Sequence, residues 1–167
     1  MTGSNADFLS KDIATELGGR SDEIHMYPLS FSEFMTYYAG SPFEGWNEYI
    51  TYGEIPLVVL AETEEQKMTL LDNLLKETYI RDIVKRNKIR NIGEMEVLLD
   101  VLASAIGALT NPNKLQKIFK SVRQSKITAT TITKYIECLE DAFMIEEAKR
   151  YDIKGKSYIG TPVKYYS

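Results

Sequence analysis

The chain has 167 residues, 44% hydrophobic and 26% charged, with one Cys, one His and a formal net charge of -4, the size of one domain or two small ones. Its longest uncharged apolar run, Ile55 to Ala61, falls far short of the roughly 20 residues that cross a bilayer, and no basic-then-apolar leader opens the sequence, so a cytoplasmic, non-membrane protein is expected. Cys138 and His25 alone build neither a disulfide framework nor a Cys/His zinc site, and a Ser-His-Asp triad would have to run through His25; no metal centre is expected.

A first helix is predicted to enter near Ser4 or Ser10, which can cap its N–H groups, and to leave at Gly18-Gly19. Asp22 to Leu29 alternates imperfectly and reads as a short strand. Two short aromatic helices follow, at Ser30–Tyr38 and Phe43–Tyr52, before a Gly53–Pro56 turn. A longer helix runs from the Thr63 cap to about Asn87, with Leu71, Leu74, Leu75, Tyr79 and Ile83 on one face. The next covers about Glu94 to Ile106, with Val97, Leu98, Val101, Leu102 and Ile106 as its stripe and Gly107 at its end.

The last third reads as a helix from Pro112, a turn through Gln124–Ile127 and a helix from Thr128 or Ala129 to about Ala142. Extended segments at Phe143–Tyr151 and about Tyr158–Tyr166 follow, reversed at Gly155. Three helices and a hairpin in this order describe a winged helix-turn-helix. Charge is uneven: residues 1–111 hold 9 Lys+Arg against 18 Asp+Glu, whereas 112–167 hold 11 against 6. A polyanion would therefore dock on the last third.

Gly155-Lys156-Ser157 is not a phosphate loop: Arg150 stands where the motif needs a glycine, and the tripeptide sits between strands rather than before a helix. No other stretch completes such a loop, so this chain by itself is not expected to be catalytic. His25 reads as a structural or surface histidine rather than a general base, and Cys138 has no cationic neighbours to make it a strong thiolate. On the Thr128 helix, Ile132, Tyr135, Ile136 and Leu139 form the apolar stripe and turn Thr130, Lys134, Glu137 and Asp141 outward. Candidate nucleic-acid contacts are Arg123, Lys126, Thr130, Thr131, Lys134, Lys154 and Lys156, while Glu137 and Asp141 oppose a phosphate backbone. Asp82 and Arg86 have the spacing of a modest helical ion pair. Arg20, behind two glycines, is positioned to reach a phosphate or a neighbouring subunit.

In order along the chain, Thr2-Gly3-Ser4-Asn5-Ala6, Leu17-Gly18-Gly19-Arg20, Tyr27-Pro28-Leu29-Ser30-Phe31-Ser32-Glu33-Phe34, Tyr52-Gly53-Glu54-Ile55-Pro56, Arg81-Asp82-Ile83, Thr131-Ile132-Thr133-Lys134-Tyr135, Tyr151-Asp152-Ile153-Lys154-Gly155-Lys156 and Lys164-Tyr165-Tyr166 resemble the AAA+ superfamily ATPases of bacteria and archaea that carry a winged helix and then a nuclease-like domain. The resemblance implies a mostly α fold with minor β. It divides into a remnant of an α/β P-loop ATPase core at 1–40, a helical connector or lid at 41–110, and a winged helix with a C-terminal β-hairpin at 111–167. It implies that Ser4 or Asn5 is the sensor-1 polar residue near the terminal phosphate of ATP, that Arg20 completes the nucleotide site, and that Tyr27–Phe34 is the last core strand leading into helices. ATP and Mg2+ would serve the parent protein, with no tight cofactor in this stretch alone. The P-loop region before it and a nuclease-like domain after it would be its partners, with non-specific DNA a candidate. The family usually shows two glycines before the proline turn, where this chain has Gly53-Glu54.

On this reading the chain is an internal piece of a motor, and the first fifty or so residues, with an edge strand stripped of neighbours, are expected to be its least stable part. Two alternatives stand beside it: a self-contained winged-helix nucleic-acid-binding protein and a protein-interaction module.

Overall fold

The computed structural model describes residues 26–149 and 162–166. The helix expected within 4–19, the strand residues 22–25, His25 and the Gly155 turn lie outside the described residues, as do Ser4, Asn5, Arg20, Lys154 and Lys156. The described residues are mostly helical, with one two-stranded antiparallel sheet, and form two compact units divided in sequence between Asp82 and Ile83.

The first unit contains α1 (Phe31–Phe34), α2 (Pro42–Tyr52), α3 (Pro56–Val59) and α4 (Glu64–Asn73), the last followed by a π-helical segment, Leu74–Ile80. Three of these helix starts carry reciprocal caps. The Ser30 hydroxyl accepts from the Glu33 N–H at 3.3 Å while the Glu33 carboxylate accepts from the Ser30 N–H at 2.8 Å, and Ser41 with Glu44 and Thr63 with Gln66 repeat the pattern. The serine hydroxyls hold the Glu33 and Glu44 carboxyls below the usual carboxylate range. Pro42 and Pro56 occupy first-turn positions, where a missing N–H costs nothing.

An aromatic cluster joins α1 to α2: Phe31 packs edge-on to Trp46 at 5.2 Å and to Tyr49 at 5.4 Å, and Phe34 lies 5.4 Å from Tyr49. The expected strand does not form over residues 26–29, which adopt no regular structure. Pro28 lacks a donor, and the Leu29 N–H is spent on the Glu54 carbonyl at 3.0 Å. The Tyr49 hydroxyl bridges this segment: its single proton is shared between two acceptors, the Leu29 carbonyl at 2.9 Å and the Glu54 carboxylate. Glu54, in the Gly53–Pro56 turn, thus anchors Tyr49. Nor is Tyr27–Phe34 a strand: it ends in α1, begun by the Ser30 cap.

The long helix predicted from Thr63 to Asn87 forms as three consecutive parts, α4, the π-helical segment and α5 (Arg81–Asn87). Where N–H groups reach back five residues, the apolar face rotates, so Ile80 is buried and Tyr79 only half-buried.

The second unit contains α6 (Ile92–Ser104), α7 (Pro112–Arg123), α8 (Ala129–Asp141), β1 (Glu146–Ala148) and β2 (Lys164–Tyr166). Its core is built from Ile83, Met95, Leu98, Leu102, Leu115, Phe119 and the α8 stripe Ile132, Tyr135, Ile136 and Leu139, closed by Ile145 and Tyr165. The expected stripe of α8 is buried throughout. That of α6 is shifted: Met95 is buried and Ile106, beyond the helix end, is exposed.

Helix α7 stops at Gln124, which takes a left-handed φ of 50°. In the turn that follows, Ser125 donates to the Glu94 carboxylate and accepts from the Ile127 N–H at 3.1 Å, while the Gln116 amide donates to the Ile127 carbonyl at 3.2 Å. Thr128 then caps α8, its hydroxyl accepting from the Thr131 N–H at 3.2 Å.

The strands expected at 143–151 and 158–166 are shorter over the described residues. Phe143 turns left-handed at φ 55°, and its N–H and that of Met144 still bond to the end of α8, at Glu140 and Leu139, so pairing begins only at Glu146. Antiparallel register sets Glu146 opposite Tyr166, Glu147 opposite Tyr165 and Ala148 opposite Lys164. On the other side of the second strand, Thr110 forms an antiparallel bridge with Val163, and the Gly107 N–H donates to the Tyr165 carbonyl at 3.0 Å.

Candidate functional site

The candidate contacts that fall within the described residues gather around the α7–α8 turn. Lys126 is exposed on the turn, and Thr130 and Lys134 are exposed one helical turn apart on α8. Thr131 differs from the expectation of an outward contact: it is half-buried, and its hydroxyl lies 2.9 Å from that of Thr128, engaged in the helix start. Arg123 is the last residue of α7. Farther along α8, Glu137 is exposed and Asp141 half-buried, so the helix carries its single cation, Lys134, ahead of its carboxylates.

Sequence reasoning missed a second basic row. Lys114, Lys117 and Lys120 are exposed on α7, a helix without a single Asp or Glu; four cations unopposed over 112–123 were the available signal. Lys114 also serves the fold, its ammonium donating to the Leu109 carbonyl at 3.0 Å.

Opposite in character is a cleft of about 230 Å³ between the start of α7, the outer face of α8 and the sheet. Thr133, Ile136, Glu137 and Glu140 line it from α8, Glu147 from β1, and Val163 and Tyr165 from the strand opposite. Burial, reinforced by Glu147, pushes the Glu140 carboxyl up, and burial with Glu147 and Glu140 pushes the Tyr165 phenol up to about 12. Cys138, half-buried on α8, has its thiol pushed up by burial and then by Asp141 and Glu137, as befits a packing residue and not a nucleophile.

Among the described residues no three His, Cys, Asp or Glu side chains converge as metal ligands, and no helix is long and apolar enough to cross a membrane. The nucleotide-sensing candidates Ser4, Asn5 and Arg20 lie outside the described residues.

Residues 1–35 match a family model described as "AAA domain", which likens the start of the chain to a P-loop ATPase region. An "Uncharacterized protein" of Haemophilus influenzae is 37% identical over 99% of this chain and 42% of its own length. Another, of Methanocaldococcus jannaschii, is 31% identical over 94% of this chain and 38% of its own length. The chain therefore spans about two fifths of the curated relatives it matches. No solved structure matches it. Residues 43–167, most of the sequence, match the model described as "Domain of unknown function (DUF8612)", and the chain belongs to that family.

Proposed function

We propose that this chain is part of a longer AAA-type ATP-binding protein in which the helix-turn-helix and hairpin act as a winged-helix arm moved by the nucleotide cycle. The observation that carries the arm is the order of its parts. A helix (α6) leads to a bridging residue (Thr110), two helices joined by a tight turn (α7, α8), and a hairpin whose second strand is bonded on one side to β1 and on the other to the Gly107–Thr110 segment. That chain order and that central strand suit a winged helix. The AAA match over 1–35 supports the nucleotide part.

In this reading residues 1–40 close an ATPase core, 41–110 connect, and 111–167 form the arm, packed on α6 at the end of the connector. Ser4 or Asn5 and Arg20 would sense the terminal phosphate. The phosphate loop would come from upstream in the longer protein and a nuclease-like domain would follow; ATP and Mg2+ would be its cofactors. Mg-dependent ATP hydrolysis by a protein of the relatives' length tests this. Arg20→Ala is expected to lower kcat by about a hundredfold or more, as loss of a charge-stabilising arginine does. No hydrolysis by the unaltered protein overturns the nucleotide reading.

A second reading, non-specific contact with a duplex backbone, is favoured by exposed Lys114, Lys117 and Lys120 on a helix without carboxylates. Duplex DNA titrated at two salt concentrations tests it: tight binding that weakens steeply with salt supports it, and no binding at low salt removes it.

A further inference from the structure

We propose that the outer face of α2 is a docking surface for a basic amphipathic helix of a partner protein. Phe43, Trp46 and Ile50 fall three and four apart, so they share one stripe of α2, and they are 75%, 48% and 59% exposed. The stripe cannot turn inward. Gly45, away from the stripe, is buried where a Cβ would stand 2.5 Å from the Met35 sulfur, and that close approach fixes which face of α2 meets the fold.

Trp46 is already held in place. Its ring meets Phe31 edge-on and stacks on Tyr49 at 6.1 Å, so little side-chain freedom is lost when a partner covers it. Protein interfaces concentrate such anchored aromatic side chains at their centres.

Charge identifies the occupant. Residues 26–66 carry seven Glu and no Lys, Arg or His, and the next cation, Lys67, is engaged by Glu48 and by the Tyr52 ring, 5.1 Å away. Glu33 and Glu44 are exposed, and their serine caps keep both ionised to lower pH. The Glu33 charge reaches Tyr49, which stacks on Trp46, while Glu44 follows Phe43 in the first turn of α2. An apolar stripe whose charged neighbours in sequence are all carboxylates fits a helix with an apolar face flanked by Lys and Arg. A bilayer surface draws proteins through Lys and Arg, so these charges oppose it, and they repel nucleic acid as well. Helix α7 of a second copy brings lysines, but Val122 is its one exposed apolar side chain, too little to cover three. The surface requires neither ATP nor a duplex, so its failure would leave both readings above untouched.

Trp46 is the one tryptophan of the chain, so its emission reads the site directly. The full 167-residue chain is titrated with a helical peptide of about 18 residues, Leu on one face and Lys on the other, with its Leu/Glu counterpart, and with a Leu/Lys peptide of the same composition in scrambled order. The amphipathic Leu/Lys peptide is expected to move Trp46 emission to the blue saturably, and the other two to leave it in place. Phe43→Ser with Ile50→Ser should weaken binding about tenfold or more. Glu33→Gln with Glu44→Gln keeps the reciprocal caps in the form that Thr63 and Gln66 use, and should weaken binding about threefold while flattening its salt dependence. Both variants change exposed side chains, and circular dichroism verifies that each is folded. No saturable blue shift, an equal shift with the Leu/Glu or scrambled peptide, unchanged affinity in either double variant, or a blue shift on vesicles of phosphatidylcholine and phosphatidylserine would each overturn the proposal. So would a solution mass that rises with protein concentration and falls back in the serine variant, since a second copy would then cover the face.

Discussion

Thr110 and Val163 exchange both backbone hydrogen bonds, each at 2.9 Å, across 53 positions of sequence. This one bridge ties the loop between α6 and α7 to the strand that also pairs with β1. It makes the hairpin part of the helical unit instead of an appendage. Thr110, at 5% exposed, is the one polar residue buried with the core among the described residues.

Thr110→Pro removes the donor of that bridge, and a ring at this position cannot reproduce the pairing. It is expected to lower stability by roughly 2–3 kcal/mol. Urea unfolding followed by circular dichroism measures it; a midpoint equal to that of the unaltered chain would show that the bridge contributes nothing.

The α7–α8 turn is held by side chains whose loss is separable. Ser125→Ala removes both the bond to Glu94 and the one from the Ile127 N–H, and should cost about 1–2 kcal/mol. Thr128→Ala removes the α8 cap and should cost about 1 kcal/mol. Because Ser125 and Thr128 hold one short turn from its two ends, at the Ile127 and Thr131 N–H groups, the double variant is expected to fall short of the sum in thermal unfolding.

Glu140 carries a carboxyl raised first by burial and then by Glu147. A folded state that holds this proton more tightly than the unfolded state is most stable below the ordinary carboxylate range. It loses that contribution as pH rises through the range and on to the folded value. Glu140→Gln is therefore expected to stabilise the chain at neutral pH, by under about 1 kcal/mol given partial solvent screening, with the gain vanishing at acid pH. A Tm difference independent of pH would contradict this origin.

Tyr49 and Tyr165 are both pushed up to about 12, in each case first by burial; Glu54 then acts on Tyr49, and Glu147 and Glu140 on Tyr165. Their protonated forms contribute stability below the ordinary tyrosine range, and it is lost as pH climbs from about 10 toward 12. Absorbance titration of the phenolates should show these two ionising late in the folded chain, together with Tyr52 and Tyr135, which burial also pushes up. Glu54→Gln should bring one of them down.

Reversing charge at Lys117 and Lys120 addresses the duplex reading. If α7 lies along a phosphate backbone, the paired Glu variants should reduce the salt slope of DNA binding by about two. An unchanged slope would move any contact elsewhere.

Legibility of the chain followed the range of the forces involved. The α8 stripe, the Thr63 cap and the helix starts at Pro112 and, within one residue, at Phe43 were readable because periodicity and caps are local. The π-helical segment was not, since Leu71, Leu74, Leu75 and Tyr79 keep ordinary helical spacing while the backbone re-phases to bury Ile80. Over the described residues 26–29 the expected strand does not form, because an extended segment needs a neighbour and Glu54 supplies only one bond there. Phe143 reads as β by composition, yet its left-handed turn closes α8. The acidic cleft lay beyond local pattern altogether: Glu137 and Glu140 meet Glu147 and Tyr165 only after the hairpin folds back.

A nucleotide-driven arm is tested most directly by a distance. In a protein of the relatives' length, with Cys138→Ala and spin labels at the exposed positions Tyr37 and Lys134, electron–electron resonance compares the ADP state with the state held by a non-hydrolysable ATP analogue. A winged-helix arm driven by nucleotide predicts distance distributions that differ between the two states. Distributions that superimpose, in a sample that binds both nucleotides, would contradict it.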